Sequence, residues 1–181
     1  MTTTQTAVTT WNIDAAHSAA EFAIKHMMIS TFKGEFRAIE GAIQIDEQNP
    51  ENSSVVAAIH VLSLDTGVTD RDAHLRSDDF FNTEKYPKMT FRSTRVQRDG
   101  DNRWKVAGDL TIRDVTREVV LDTEFEGRIT DPWGNDRAGF TAATTINRKD
   151  FGVRWNNVLD AGGLALGDNV RITLHLEAVR A

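Results

Sequence analysis

From residue 104 onward, apolar and polar positions alternate with a period of two. Trp104, Val106, Gly108, Leu110 and Ile112 share one face, against Lys105, Ala107, Asp109, Thr111 and Arg113 on the other. In the next run Val119, Leu121 and Phe125 oppose Glu118, Asp122, Glu124 and Glu126. Near the end Val170, Ile172, Leu174, Leu176 and Ala178 oppose Arg171, Thr173, His175 and Glu177. One dry face and one wet face is the mark of an antiparallel sheet, because parallel sheets are covered on both sides. Further strands are read at 18–26, 34–46, 54–65, 88–98 and 137–147, which makes about eight. Between residues 36 and 39 the apolar phase slips, since Phe36 is even while Ile39, Ile43 and Ile45 are odd. A bulge or sharp bend is expected there. Turns are expected at Asp99-Gly100-Asp101-Asn102 and over 131–135, and a long loop over 153–168.

One segment breaks the alternation. Residues 69–81 have helical spacing and a start signal, Thr69 followed three residues later by Asp72. About eight strands and one helical piece suit an up-and-down barrel or a two-sheet sandwich. The inward positions favour a hollow barrel under a helical lid. Large side chains (Phe22, Ile24, Phe91, Phe140, Ile172) are interleaved with small ones (Ala42, Ala57, Gly108, Ala142, Thr144). An eight-stranded barrel is wide enough only to be filled by side chains or to hold one slim ligand. Small inward residues also serve barrel taper, so a filled barrel acting as an interaction protein stays open as an alternative.

At 181 residues, with no repeat or linker, the chain reads as one domain over 11–181 behind a flexible, Thr-rich segment, 1–10. Net charge is −6 and the basic residues are scattered, which argues against nucleic acid as a partner. There is no cysteine, so disulfides and thiolate chemistry are excluded. No apolar run approaches the roughly 20 residues needed to span a bilayer, and no stable membrane insertion is expected. The first ten residues lack the basic and apolar regions of a signal peptide, so a cytoplasmic location is expected.

A set of short words runs from Trp11 to near the C-terminus. They are Trp11-Asn12-Ile13-Asp14 with His17-Ser18; Phe22-Ala23-Ile24-Lys25-His26; Phe32-Lys33-Gly34-Glu35-Phe36; and Arg71-Asp72-Ala73-His74-Leu75 with Asp79-Phe80-Phe81. They continue with Tyr86-Pro87 and Phe91, Gly108-Asp109-Leu110-Thr111-Ile112 with Val115-Thr116-Arg117, and Asp150-Phe151-Gly152. In order and spacing the chain resembles the YceI-like family of lipocalin-like polyisoprenoid-binding proteins. It departs at Asp114, where that family commonly has glycine.

The resemblance implies an all-β fold, an antiparallel lipocalin-like β-barrel of about eight strands with one short helical lid segment. It further implies a bound polyisoprenoid lipid, a polyprenyl quinone, phenol or phosphate, and no other cofactor. The expected lining is Phe22, Ile24, Phe36, Ile43, Ile59, Phe80, Phe81, Met89, Phe91, Phe140, Ala142 and Phe151. His17, His26, Arg71, His74 and Arg76 are the expected polar groups for a head group. A homodimer is left open.

The residues offer little for catalysis. Asp14, His17 and Ser18 hold the atoms of a triad, but on a strand 17 would point away from 14 and 18, and a hydrogen-bonded corner is the preferred reading. His17, His26, His60, His74 and Asp72 lack the local pair spacing of a zinc site, so no metal is expected. His74 is expected to orient the lid, and Asp150-Phe151-Gly152 is read as the start of a strand with Phe151 inward. The expectation is therefore a carrier and not an enzyme. A quinone-linked redox or stress-response module is the alternative.

Overall fold

The structure, a computed structural model, describes residues 7–160 and 162–181. Eleven strands and one α-helix are present among them: β1 Val8–Ile13, β2 Ala19–His26, β3 Ser30–Phe36, β4 Ile39–Asp46, β5 Ser54–His60, β6 Leu64–Asp65, α1 Thr69–Arg76, β7 Lys88–Arg98, β8 Arg103–Ile112, β9 Val115–Thr130, β10 Asp136–Asn147 and β11 Leu166–Arg180. Every pairing is antiparallel. The order β1-β4-β5-β7-β8-β9-β10-β11 closes on itself through β1 and β11, giving a ring of eight.

The eleven strands make eight walls because three walls are broken. The 15-residue β11 carries β1 on its C-terminal half (Trp11 opposite Arg180, Ile13 opposite Ala178) and β2 on its N-terminal half (Ala20 opposite Leu174, Phe22 opposite Ile172). β1 and β2 are thus one wall, interrupted by a 3-10 turn at Ala15–His17. β3 runs beside β2 and β4 beside β1; β6 continues the line of β5 by pairing with β3. The expected bend between 36 and 39 is the corner Arg37-Ala38, where the chain changes neighbours. Two residues off the ladder reset the phase, and Phe36 and Ile39 are both buried.

Several boundaries differ from the expectation. Val8, Thr9 and Thr10, within the segment expected to be flexible, form β1 and pair with Asp46, Ile45 and Gln44; residues 1–6 lie outside the described residues. β11 begins at Leu166, inside the expected loop, and β9 runs on to Thr130. Within β9 the pairing moves from Phe125 opposite Phe140 to Gly127 opposite Gly139, so one residue is extra. Gly127 there has φ +140°, a backbone that glycine supplies without a Cβ clash. The bulge flips the phase of β9: Phe125 faces inward, and so does Arg128, which lies opposite the buried Ala138.

The helix stops at Arg76, short of the expected 81, and residues 78–85 are mostly turns. Ser77 ends it by donating its hydroxyl to the His74 carbonyl. Thr69 lies inside the helix, whose N-cap is Val68 with no side-chain bond. Asp72 instead accepts from the Thr66 amide and hydroxyl, tying the incoming turn to the helix. The lid is held by further polar clamps. Arg76 donates to the Leu62 and Leu64 carbonyls, and Arg113 to those of Asp78 and Phe80. Arg113 occupies the β8–β9 turn beside Asp114 with φ 56°, and its bonds to the lid hold that left-handed backbone in place.

Candidate functional site: an apolar channel

The barrel encloses a cavity of about 400 Å³, within the range of about 300–1,000 Å³ typical of ligand pockets. All twelve residues expected to line it do so, from Phe22 and Ile24 on β2 to Phe140 and Ala142 on β10 and Phe151 beyond it. Phe22, Ile43, Phe91, Leu110, Ile172 and Leu174 point into the barrel yet are only half-buried. Their remaining surface faces the void, which distinguishes a channel from a filled core.

Two glycines make room for this void. A methyl group on Gly34 would lie 2.5 Å from Phe22 Cζ, and one on Gly108 would lie 2.5 Å from Phe91 Cζ. Each ring therefore occupies the place of a missing side chain in the wall and leaves the bore open. Charged residues (Glu118, Asp122, Glu124, Glu126) cover the outer face of β9, the reverse of a membrane-spanning barrel. Among the described residues no helix is long and apolar enough to cross a membrane.

Leu75 of α1, with Phe80, Phe81, Val153 and Phe151, forms the floor under the lid. Phe81 packs edge-on against Phe36 at 5.7 Å. The other end is the mouth, where Trp11, Ile45, Val96, Trp104 and Phe125 meet the polar rim of Asp46, Glu47, Ser53, Ser54 and Arg128. Arg128 Nη1 reaches Glu47 Oε1 at 2.8 Å, and its guanidinium lies 4.7 Å from the centre of the Trp11 ring.

None of the five residues expected to meet a head group lines the channel. Arg71 donates to the Thr66 hydroxyl and carbonyl and lies over the Phe32 ring, and Arg76 donates through Nη2 to the Leu62 and Leu64 carbonyls while its buried Nε has no partner among the described residues. Those carbonyls lie in and beside the two-residue strand β6, where the ladder is too short to satisfy the backbone, and the guanidiniums take them. His74 pairs with Asp79 at 2.9 Å and packs edge-on against Phe80 and Trp155, the orienting role expected of it. His26 packs its ring against Phe32, and His17 is exposed.

The polar groups that do line the channel were legible only in part. Arg128 enters through the bulge, for which Gly127 is the sequence signal. Arg148 continues the inward even phase of Phe140, Ala142, Thr144 and Ile146, and it is buried. Its guanidinium donates to the carbonyls of Gly167, Val153 and Trp155, and burial pulls its pKa down. It sits in a 3-10 turn, Arg148–Phe151, that ends at Gly152 with φ 78°. Asp150-Phe151-Gly152 is therefore a tight turn and not the start of a strand, although Phe151 does face inward.

Asp14, His17 and Glu177 form a second polar cluster, outside the channel, with one ligand atom each within 4.8 Å of the others. The 3-10 turn curls His17 back so that Nδ1 meets Asp14 Oδ2 at 2.9 Å, which corrects the expectation that 17 points away. Ser18 does not join them; its hydroxyl exchanges hydrogen bonds with the Glu177 backbone. Arg137 holds both carboxylates at 2.9 Å and Asp131 at 2.7 Å. Bonds from His17 and then Arg137 lower the Asp14 pKa, and the Asp14 bond raises that of His17. This cluster is a corner that fastens β1 and the turn after it to β10 and β11.

A family model described as the YceI-like domain matches residues 11–178. The UPF0312 protein of Photorhabdus laumondii is 45% identical over 140 residues, covering 77% of this chain and 72% of that protein. Among solved structures, Burkholderia cenocepacia BcnA superposes with a TM-score of 0.80 at 24% identity, covering 91% of this chain and 98% of the other. A polyisoprenoid binding domain from Saccharophagus degradans, implicated in plant cell wall breakdown, superposes with a TM-score of 0.69 at 16% identity, covering 94% and 98%. At these identities the two structures establish a shared fold.

Proposed function

This chain belongs to the YceI-like domain family, and we propose that it is a non-catalytic carrier that holds one polyisoprenoid amphiphile inside its barrel. The observation that carries this reading is a channel of about 400 Å³, open at its mouth and lined almost wholly by apolar side chains. An isoprenoid tail in water costs about 0.8 kcal/mol for each CH₂ left exposed, so a tail of several units is insoluble alone. A dry sleeve of the right girth removes that penalty and requires no directional chemistry. The polyisoprenoid binding domain of similar fold supports the choice of cargo.

A non-catalytic role fits the lining. Its hydroxyls (Ser53, Ser54, Thr90, Thr123, Thr144) are accompanied by no histidine, and the His17–Asp14 pair lies outside the channel. Native mass spectrometry of gently purified protein, followed by solvent extraction, tests the proposal. One lipid per chain with the mass of a polyprenyl compound is expected; protein that is consistently empty and binds no added polyprenyl compound overturns it.

A further inference from the structure

The floor of the channel contains one charged side chain, and it is not fully used. Arg148 is 4% exposed and lines the cavity in company with Ile146, Phe151 and Val153. Its Nε donates to the Gly167 carbonyl at 2.8 Å and its Nη1 to those of Val153 and Trp155 at 3.0 and 2.8 Å. Nη2, covered from solvent, has no partner among the described residues. Asp168, the acid that acts on its charge, makes no ion pair with it; Asp168 Oδ1 lies 3.1 Å from Lys149 Nζ without a hydrogen bond. A buried charged donor without an acceptor is a costly defect that folds rarely retain without a reason. Arg128 at the mouth differs on both counts, being paired with Glu47 and 39% exposed.

We propose that Arg148 receives the head group of the bound amphiphile. The cargo then lies head-down at the lid end with its tail toward the mouth, and its head group is an oxyanion, a phosphate or a carboxylate. This rests on the carrier reading above and adds the orientation and the head-group class. Hydrocarbon at the floor would leave the Nη2 donor unmet and the guanidinium without an ion-pair partner, and an alcohol would meet only the donor. An oxyanion meets both, through a charge-assisted hydrogen bond strengthened by its apolar surroundings.

Three probes with one tail separate the parts of the proposal: geranylgeranyl monophosphate, geranylgeranoic acid and geranylgeraniol, titrated into the intact protein. The two acids are expected to bind about tenfold or more tighter than the alcohol. Arg148→Gln is expected to erase that preference while still binding the alcohol. The variant also loses loop-carbonyl bonds, so a second measurement uses the unaltered protein. The ³¹P resonance of bound geranylgeranyl monophosphate is recorded with a water-soluble gadolinium chelate, and a head at the floor keeps it sharp. Equal affinity for alcohol and acids, or a resonance broadened by gadolinium, overturns the proposal and leaves the carrier reading standing. Failure of all three probes to bind overturns the carrier reading itself.

Discussion

Glu47 and Arg128 stand on opposite walls of the barrel and meet across its mouth, Oε1 to Nη1, at 2.8 Å. Glu47 follows β4 and Arg128 lies on β9, four places apart in either direction around the ring of eight. The pair forms a polar bar over the apolar bore, and Trp11 packs beneath the guanidinium. It depends on the one-residue bulge at Gly127, without which Arg128 would face solvent.

Removing the bar is expected to speed lipid exchange more than it weakens the fold. The pair is partly exposed, and such pairs contribute about 0–1 kcal/mol to stability. Arg128→Gln should leave the urea midpoint almost unchanged and raise the rate at which a fluorescent polyene lipid leaves the channel. Stopped-flow transfer to acceptor vesicles measures that rate.

Filling the wall beside Phe91 is expected to be costly. In Gly108→Ala the new methyl group meets the Phe91 ring and the Arg92 carbonyl, each at 2.5 Å, and the backbone carbonyl cannot move aside freely. Overpacking of this kind costs about 1–3 kcal/mol, read as a lower midpoint of chemical denaturation.

Plugging the bore is expected to separate binding from folding. Ala142 is buried, lines the channel, and lies between Thr123 and Leu174 on the neighbouring strands. Ala142→Trp places a large ring in existing empty volume and leaves the outer surface unaltered. A folded variant that no longer co-purifies with lipid is the expected result, checked by circular dichroism and by mass spectrometry of extracts.

The corner built on Arg137 is expected to set the pH range of stability. The Arg137 bond, followed by the Asn135 amide, lowers the Asp131 pKa from 3.8 to about 2. Its contribution is therefore complete above pH 3.8 and lost as pH falls through about 2. His17 shifts the other way, raised above 6.5 chiefly by Asp14, so its contribution is complete below 6.5 and lost as pH rises through its folded value. The Tm should be highest between those limits and fall on either side. Arg137→Gln should flatten the acid side and, by removing a cation that lowers the His17 pKa, move the alkaline fall to higher pH.

The antiparallel barrel and its inward residues were legible in the sequence because strand periodicity is local. Alternation assigns each residue to a face without knowledge of its neighbours, and it placed Phe22, Phe91, Phe140 and Ala142 correctly inside. Ring closure was not legible, since Trp11 and Arg180 lie at opposite ends of the chain and only the tertiary structure pairs them. The polar lining was legible only in part. One extra residue at Gly127 reverses the face of Arg128, and a reversal of that kind depends on the ladder of the adjacent strand. Arg71 and Arg76 carried the right charge in the right segment, but the short strand β6 and the turn after it present carbonyls that must be satisfied, and those arginines satisfy them. That the bore is hollow was also decided in three dimensions. Side-chain identity sets which groups point inward, while the volume left between them follows from the spacing and tilt of eight walls.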